Sequence, residues 1–350
     1  MDKKADLYFL GGSAARGFVT RFNDIIKTKG YFTYILKGGP GTGKSTLIKK
    51  AAKSFSDAGT ELYYCASDIS SLDAVLLKEP KVIIVDGTAP HIFDAEEPGV
   101  SQCLVNLGEF WDREKLIPHE EKIRSLFEEN KRFHRHAKRL IAAMTSLNGS
   151  IYEFAEEFID LPTLTHFSKE YIKKWALNKN KTGRVVYKQL SAITQNGYIT
   201  QQVDDSYLRI GIKDGFYAAG GLMMKEIAET LISLGYEITL SECNMFFENI
   251  IEHIFVPELK LCFSAVNNLN KLGFEDVVDC ESFYDHSQCE EGMISAREMA
   301  SVIEKDIASA IKKALEVHNE LESYYVKALD FDSLDRKTFE IISEIHKRIK

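Results

Sequence analysis

The chain has 350 residues, 45% apolar and 27% charged, with a formal net charge of −8. That length exceeds one comfortable core and predicts two domains, while the ordinary composition excludes disorder over most of the chain. The acidic balance argues against a dominant nucleic-acid or anionic-membrane surface.

From the N-terminus, MDKKADLYFLGGSAARG carries charges but no apolar signal core. No window approaches about eighteen uninterrupted apolar residues. A cytoplasmic protein with no membrane partner is expected. Six cysteines (Cys65, Cys103, Cys243, Cys262, Cys280, Cys289) include no CxxC pair, so neither a zinc knuckle nor a disulfide framework is signalled.

YFTYIL, a β-branched and aromatic run, predicts a buried strand; KSTLIKKAAKSF behind it places Leu47, Ile48, Ala51, Ala52 and Phe55 at helical spacing, closed by Gly59. Between them Gly38, Gly43, Lys44 and Ser45 satisfy GxxxxGK[ST]. In that pattern glycines let backbone N–H groups turn inward on phosphate oxygens, the lysine reaches the β and γ phosphates, and the serine hydroxyl meets Mg²⁺. Strand, loop and helix in the required order make this a phosphate cradle rather than a chance turn.

ELYYCAS predicts a second strand and KVIIVDG a third, ending in Asp86, a candidate Mg²⁺ carboxylate at the sheet edge. No Glu follows Asp86, which speaks against a mechanical ATPase. Asp68, with Asp73 behind it, is a candidate general base or second metal contact; SDISSLD reads equally well as a helix N-cap. His91 could bind phosphate, although a lone His after Pro in a loop is more often structural.

From Pro118 onward Ile123, Leu126, Phe127, Asn130, Phe133, Ala137, Leu140, Ile141 and Met144 repeat at helical steps. Arg124, Arg132, Arg135 and Arg139 with His134 and His136 make this region basic. It reads as a solvated face or as a lid that brings an Arg to the γ-phosphate. The polar stretch from Asn178 is a linker.

The remainder repeats the start. YLRIGIKDGFYAAGG lies on YFTYILKGGPGTGKS without a gap, 176 positions apart, with Lys37 on Lys213 and Gly59 on Gly235. Flanking blocks continue at 180 and 179 positions, as in Thr20 on Thr200 and Lys81 on Lys260. In this register Lys44 falls on Gly220, Ser45 on Gly221 and Asp86 on Ala265, so the copy has lost its phosphate and metal groups. Met299, Ile303, Ile307, Ile311, Leu321 and Tyr325 predict a second helical region.

The expected fold is therefore α/β: two tandem P-loop NTPase-like domains, each a parallel sheet flanked by helices and followed by a helical hairpin. Residues 1–180 form the active domain and 181–350 the degenerate copy.

LYFLGGSAARGF, LKGGPGTGKSTLIKK, YYCASDISSLDAV and KVIIVDGTAPHIFD followed by EPG resemble a family of bacterial P-loop ATPases, found mainly among Firmicutes, that consist of two tandem P-loop domains. The resemblance covers the whole chain and is strongest over about the first 115 residues. It implies nucleotide contacts at Gly38, Gly39, Pro40, Gly41, Thr42, Gly43, Lys44, Ser45 and Thr46, and Mg²⁺ at Ser45 and Asp86. Family members can keep a second GxxxxGK[ST]; here Gly220 and Gly221 replace it, which speaks against two active sites.

The expected function is a Mg²⁺-dependent P-loop NTPase that hydrolyses ATP or passes its γ-phosphoryl group to a small acceptor, with Lys44, Asp86 and Asp68 catalytic and the second copy a structural or regulatory partner. The alternative is an ATP-gated interaction module with little turnover and a protein partner. A nucleic-acid-linked ATPase, motivated by NKRFHRHAKR alone, is the weakest reading. The chain is expected to be a monomeric pseudo-dimer or a homodimer.

Overall fold

A computed structural model describes residues 5–89, 91–246, 249–266, 273–285 and 291–348. Cys289 and Pro90 of the DGTAPH segment lie outside them.

The chain divides into two compact units whose boundaries do not follow the repeat. The first comprises Met1–Gly12, Thr20–Ala137 and Ser309–Lys350; the second comprises Ser13–Val19 and Lys138–Ala308. The contiguous division at residue 180 is therefore not the spatial one, because each unit takes helices from both halves of the chain.

Beside the main sheets the described residues form two ribbons, β2 (Gly11–Ala14) with β3 (Gly17–Thr20) and β10 (Ser191–Thr194) with β11 (Gly197–Thr200), and two short helices, α1 (Phe22–Ile26) and α3 (Arg113–Leu116). In the first unit a six-stranded sheet is built from β1 (Asp6–Phe9), β4 (Phe32–Lys37), β5 (Thr60–Tyr64), β6 (Leu72–Leu77), β7 (Val82–Asp86) and β8 (Gln102–Asn106), in the order β1-β5-β6-β7-β4-β8. The pairs β1/β5, β7/β4 and β4/β8 are parallel, whereas β6 runs antiparallel to both β5 and β7. The sheet is mixed rather than parallel. Its unexpected member, β6, is buried at every position, as a strand covered on both faces should be. Its apolar run LDAVLL is short enough to pass for the start of a helix, since periodicity cannot separate the two at that length.

The helix α2 (Lys44–Ser54) buries Leu47, Ile48 and Ala51. They share a core with Tyr34 and Leu36 of β4, Ile84 of β7, and Leu334, Ile341 and Ile345 of α8 (Phe331–Lys347), the last helix of the chain. Each fully buried Leu or Ile is worth about 1.5–3 kcal/mol. The terminal helix is thus part of the P-loop unit's interior. Its N-cap Asp330 accepts from the Ser333 amide at 3.1 Å, and Lys50 of α2 meets Asp335 at 2.6 Å.

The second unit repeats the arrangement. The strands β9 (Arg184–Tyr187), β12 (Leu208–Lys213), β13 (Glu237–Glu242), β14 (Ile251–Val256), β15 (Leu261–Val266) and β16 (Asp276–Asp279) lie in the order β9-β13-β14-β15-β12-β16. Strand for strand this is the order of the first sheet, including the antiparallel third strand, β14, the counterpart of β6. The helix α6 (Ala218–Ser233) corresponds to α2, and α5 (Leu161–Lys173) packs on it through Leu164 and Ile172. Here too the covering helix comes from the other half of the sequence.

Two helices of 37 residues, α4 (Glu120–Glu156) and α7 (Glu291–Lys327), are each divided between the units. Within the first unit their segments pack together through Ile123, Leu126 and Leu321.

Candidate functional site

The strand β4 ends at Lys37, and the loop Gly38 to Gly43 carries the chain into α2. Gly38, Gly41 and Gly43 have φ of 147°, 68° and 75°, a region that glycine alone enters without a steric penalty. Packing reinforces the requirement. A Cβ on Gly38 would lie 2.7 Å from Thr42 Oγ1, and one on Gly43 would lie 2.7 Å from Leu334 Cδ2 of α8. The loop is tied internally by Thr42, buried, whose hydroxyl donates to the Gly39 carbonyl at 2.9 Å.

The helix α2 starts with the Leu47 amide donating to the Gly43 carbonyl at 2.9 Å. It has no side-chain cap and no acidic residue in its first turn. The positive end of the helix dipole is therefore unanswered from within α2. Lys44 folds back over the loop, its Nζ donating to the carbonyls of Gly38 at 2.7 Å and Gly39 at 2.9 Å.

Asp86 closes β7 directly opposite Leu36 of β4, which sets its Oδ2 3.7 Å from Lys44 Nζ. Its other oxygen accepts the Thr88 amide at 2.8 Å. Burial pushes the Asp86 carboxyl above its ordinary range, against the opposing pull of Lys44 and Thr88. Ser45 Oγ accepts the Leu72 amide at 2.9 Å and keeps its second lone pair. The donor set is hard oxygen, one hydroxyl and one carboxylate. That suits Mg²⁺, which keeps water and phosphate oxygens in the rest of its shell. Among the described residues no group of three His, Cys, Asp or Glu could hold a metal.

Asp68 lies in the turn before β6. Its carboxylate accepts from the Ser70 amide at 3.0 Å, the Ser70 hydroxyl at 2.7 Å and the Ser71 hydroxyl at 2.5 Å. Burial would raise its carboxyl, but those donors and the Lys49 charge outweigh it and hold it below the usual range. The residue caps a turn that leads into a strand, not a helix. His91 is buried, its Nε2 3.1 Å from Asp73 Oδ2 and its Nδ1 3.3 Å from Thr20 Oγ1; it braces the back of the sheet edge. Arg124 and Arg132 pair with Glu120 and Glu129 along α4, and Arg135 and Arg139 are exposed. The basic run is a solvated face.

Three contacts had no local sequence signal. Trp111 packs on Gly39, its Cη2 3.0 Å from the Cβ position there. Val326 and Glu322 of α7 lie 3.0 Å and 3.2 Å from the corresponding position on Gly41. Leu334 covers Gly43.

In the second unit the equivalent loop is shorter. Leu36 opposite Asp86 has its counterpart in Ile212 opposite Ala265, 176 positions on. The helix N-caps, Gly43 and Tyr217, both left-handed, are 174 apart. Two loop residues are missing, so Lys44 and Ser45 correspond to Ala218 and Ala219, not to Gly220 and Gly221. The ammonium and the hydroxyl are absent in either register.

What fills their place is Asp214, only 8% exposed. Its carboxylate accepts the amides of Phe216 and Gly220, each at 2.8 Å, and the Tyr284 hydroxyl at 2.9 Å. Tyr284 in turn accepts the Ala219 amide at 2.7 Å. A side chain on Gly220 would strike Asp214, whose Cβ is 2.9 Å from the position it would need. Burial raises the Asp214 carboxyl, and the surrounding donors oppose the rise.

Comparison with protein-family models, curated proteins and solved structures gives no match. No described helix is long and apolar enough to cross a membrane.

Proposed function

We propose that the first unit binds Mg·ATP at Gly38–Thr46 and either hydrolyses it or passes the γ-phosphoryl group to a small acceptor. The carrying observation is the cradle itself: a glycine loop in left-handed conformations, an uncapped helix start and a Lys44 ammonium parked on two loop carbonyls. An ammonium so placed can exchange those carbonyls for phosphate oxygens by a small swing, gaining charge-assisted contacts. Ser45 and Asp86 would hold Mg²⁺, which when bound supplies neutralisation of charge developing on the β- and γ-oxygens. The protein's own contribution would be to orient the triphosphate with loop amides and the helix dipole.

Isothermal titration with Mg·ATP tests the reading. Binding by the native protein and its loss in Lys44→Ala, with the fold retained, is the expected result; unchanged affinity in the variant defeats it.

A second reading is an ATP-gated interaction module. It is favoured by the contacts of Glu322, Val326 and Leu334 with Gly41 and Gly43, which would let nucleotide binding bias the C-terminal helices. Tight binding with negligible phosphate release, and a partner whose affinity changes with a non-hydrolysable analogue, would distinguish it from the enzyme.

A further inference from the structure

The phosphoryl-transfer reading leaves the proton of the attacking hydroxyl without an obvious acceptor. No Glu follows Asp86, and Asp68 has three donors already on its carboxylate. The C-terminal helix offers one. On α7, Glu322 lies against Gly41 at the tip of the phosphate loop, and His318 is one turn earlier on the same face. His318 is half-buried and makes no hydrogen bond among the described residues. A polar ring with no hydrogen bond among the described residues at such a place is either wasted or waiting for a ligand.

We propose that His318 faces the terminal phosphate of the bound nucleotide and acts as the proton acceptor for its attacker, a role that rests on the Mg·ATP reading above. An imidazole nitrogen takes the proton of the attacking water or acceptor hydroxyl as the new oxygen–phosphorus bond forms. The bond from the γ-phosphorus to the β–γ bridging oxygen breaks, and its electron pair leaves with ADP.

The surroundings suit that task. Among the described residues, the charged and titratable groups whose fields reach the ring are Glu322 on its own helix, Lys44 of α2, Asp68 from the β5–β6 turn and His134 of α4. Burial lowers His318 below the ordinary imidazole value; Glu322 and Asp68 oppose that shift and Lys44 adds to it. Burial likewise lowers His134, with His318 adding to the effect. A neutral imidazole at physiological pH is the form a general base requires.

The test combines imidazole NMR titration of the full chain, with and without Mg²⁺ and a non-hydrolysable ATP analogue, with phosphate release from Mg·ATP by His318→Gln. The expected results are an upward shift of the His318 titration when the polyanion is added and about a hundredfold loss of turnover with nucleotide affinity within about threefold of native. An unmoved titration in a protein that binds the analogue, or unimpaired turnover in the variant, overturns the role of His318 alone. Failure of the native protein to bind Mg·ATP overturns it together with the nucleotide reading.

Discussion

The loop from Gly38 to Gly43 and the loop from Asp214 to Tyr217 occupy the same place in two sheets of the same strand order, yet they solve the same electrostatic problem in opposite ways. Each delivers the chain into a helix whose first amides have no intrahelical partner. In the first unit those amides have no side-chain cap, and the Lys44 ammonium lies on the loop carbonyls. In the second, Asp214 and Tyr284 satisfy them from within. The proposed anion site and the sealed helix start thus differ by two loop residues, by Lys44 and Ser45 against Ala218 and Ala219, and by the Asp214–Tyr284 pair. Loss of the lysine alone would leave the second loop an empty cradle; Asp214 makes it a closed one.

The largest way to disturb the comparison is to remove α8. Deleting residues 331–350 takes Leu334, Ile341 and Ile345 out of the first unit's core, at about 1.5–3 kcal/mol each. Against a typical domain stability of about 5–15 kcal/mol, the first unit is expected to unfold. Hydrogen exchange should show protection lost in β4 and α2 and retained in β12 and α6. Equal loss in both would mean that the units do not fold as separately as their cores suggest.

Next in size is Lys44→Ala, for which nucleotide affinity should fall about a hundredfold, the worth of a charged hydrogen-bonding group of about 1.5–3 kcal/mol. The converse change, Ala218→Lys, should confer no nucleotide binding on the second loop, because Asp214 still occupies its amides. Calorimetry on the Ala218→Lys, Lys44→Ala double variant would settle that, and any recovered binding would refute the closed-cradle account.

Comparable in size is Asp214→Ala. It strands the Phe216 and Gly220 amides, at about 1–3 kcal/mol each where water cannot reach them. Denaturant unfolding should show the second unit weakened and Mg·ATP affinity within about twofold of native. A variant as stable as the native chain would show the carboxylate to be dispensable.

The smallest effect concerns pH. His134 and His318 are held below their ordinary value in the folded first unit, so on acidification the unfolded chain takes up protons before the folded one does. Their contribution to stability is complete above about pH 6.5 and declines as pH falls below it. His134→Gln should flatten the decline in melting temperature between about pH 6.5 and 5. An unchanged slope would assign the acid sensitivity to other groups.

Local features were readable at the residue level. GGPGTGKS specifies its own loop, since glycine at 38, 41 and 43 permits what other residues resist, and the flanking strand and helix announce themselves by period. The Asp86 edge position follows from an apolar run ending in a carboxylate. Less of the rest was visible. LDAVLL is too short for its period to be told apart, so β6 and the mixed sheet were missed. The two-residue deletion before α6 was hidden because the flanking strands keep a constant spacing. Nothing local in the sequence marks Asp214, because Gly220 and Tyr284 meet it only in the folded chain.

By itself, the sequence determined the glycine loop between strand and helix, the repeat, and the absence of a lysine and a serine from the second loop, because each depends on residue types at short range. Only the tertiary structure decided that Leu334 and Ile345 belong to the core of a strand some three hundred residues earlier, and that Glu322 and Val326 meet Gly41. Helical periodicity shows that a face must be buried, but the partner that buries it is chosen by shape and burial across the whole chain, which no local pattern records.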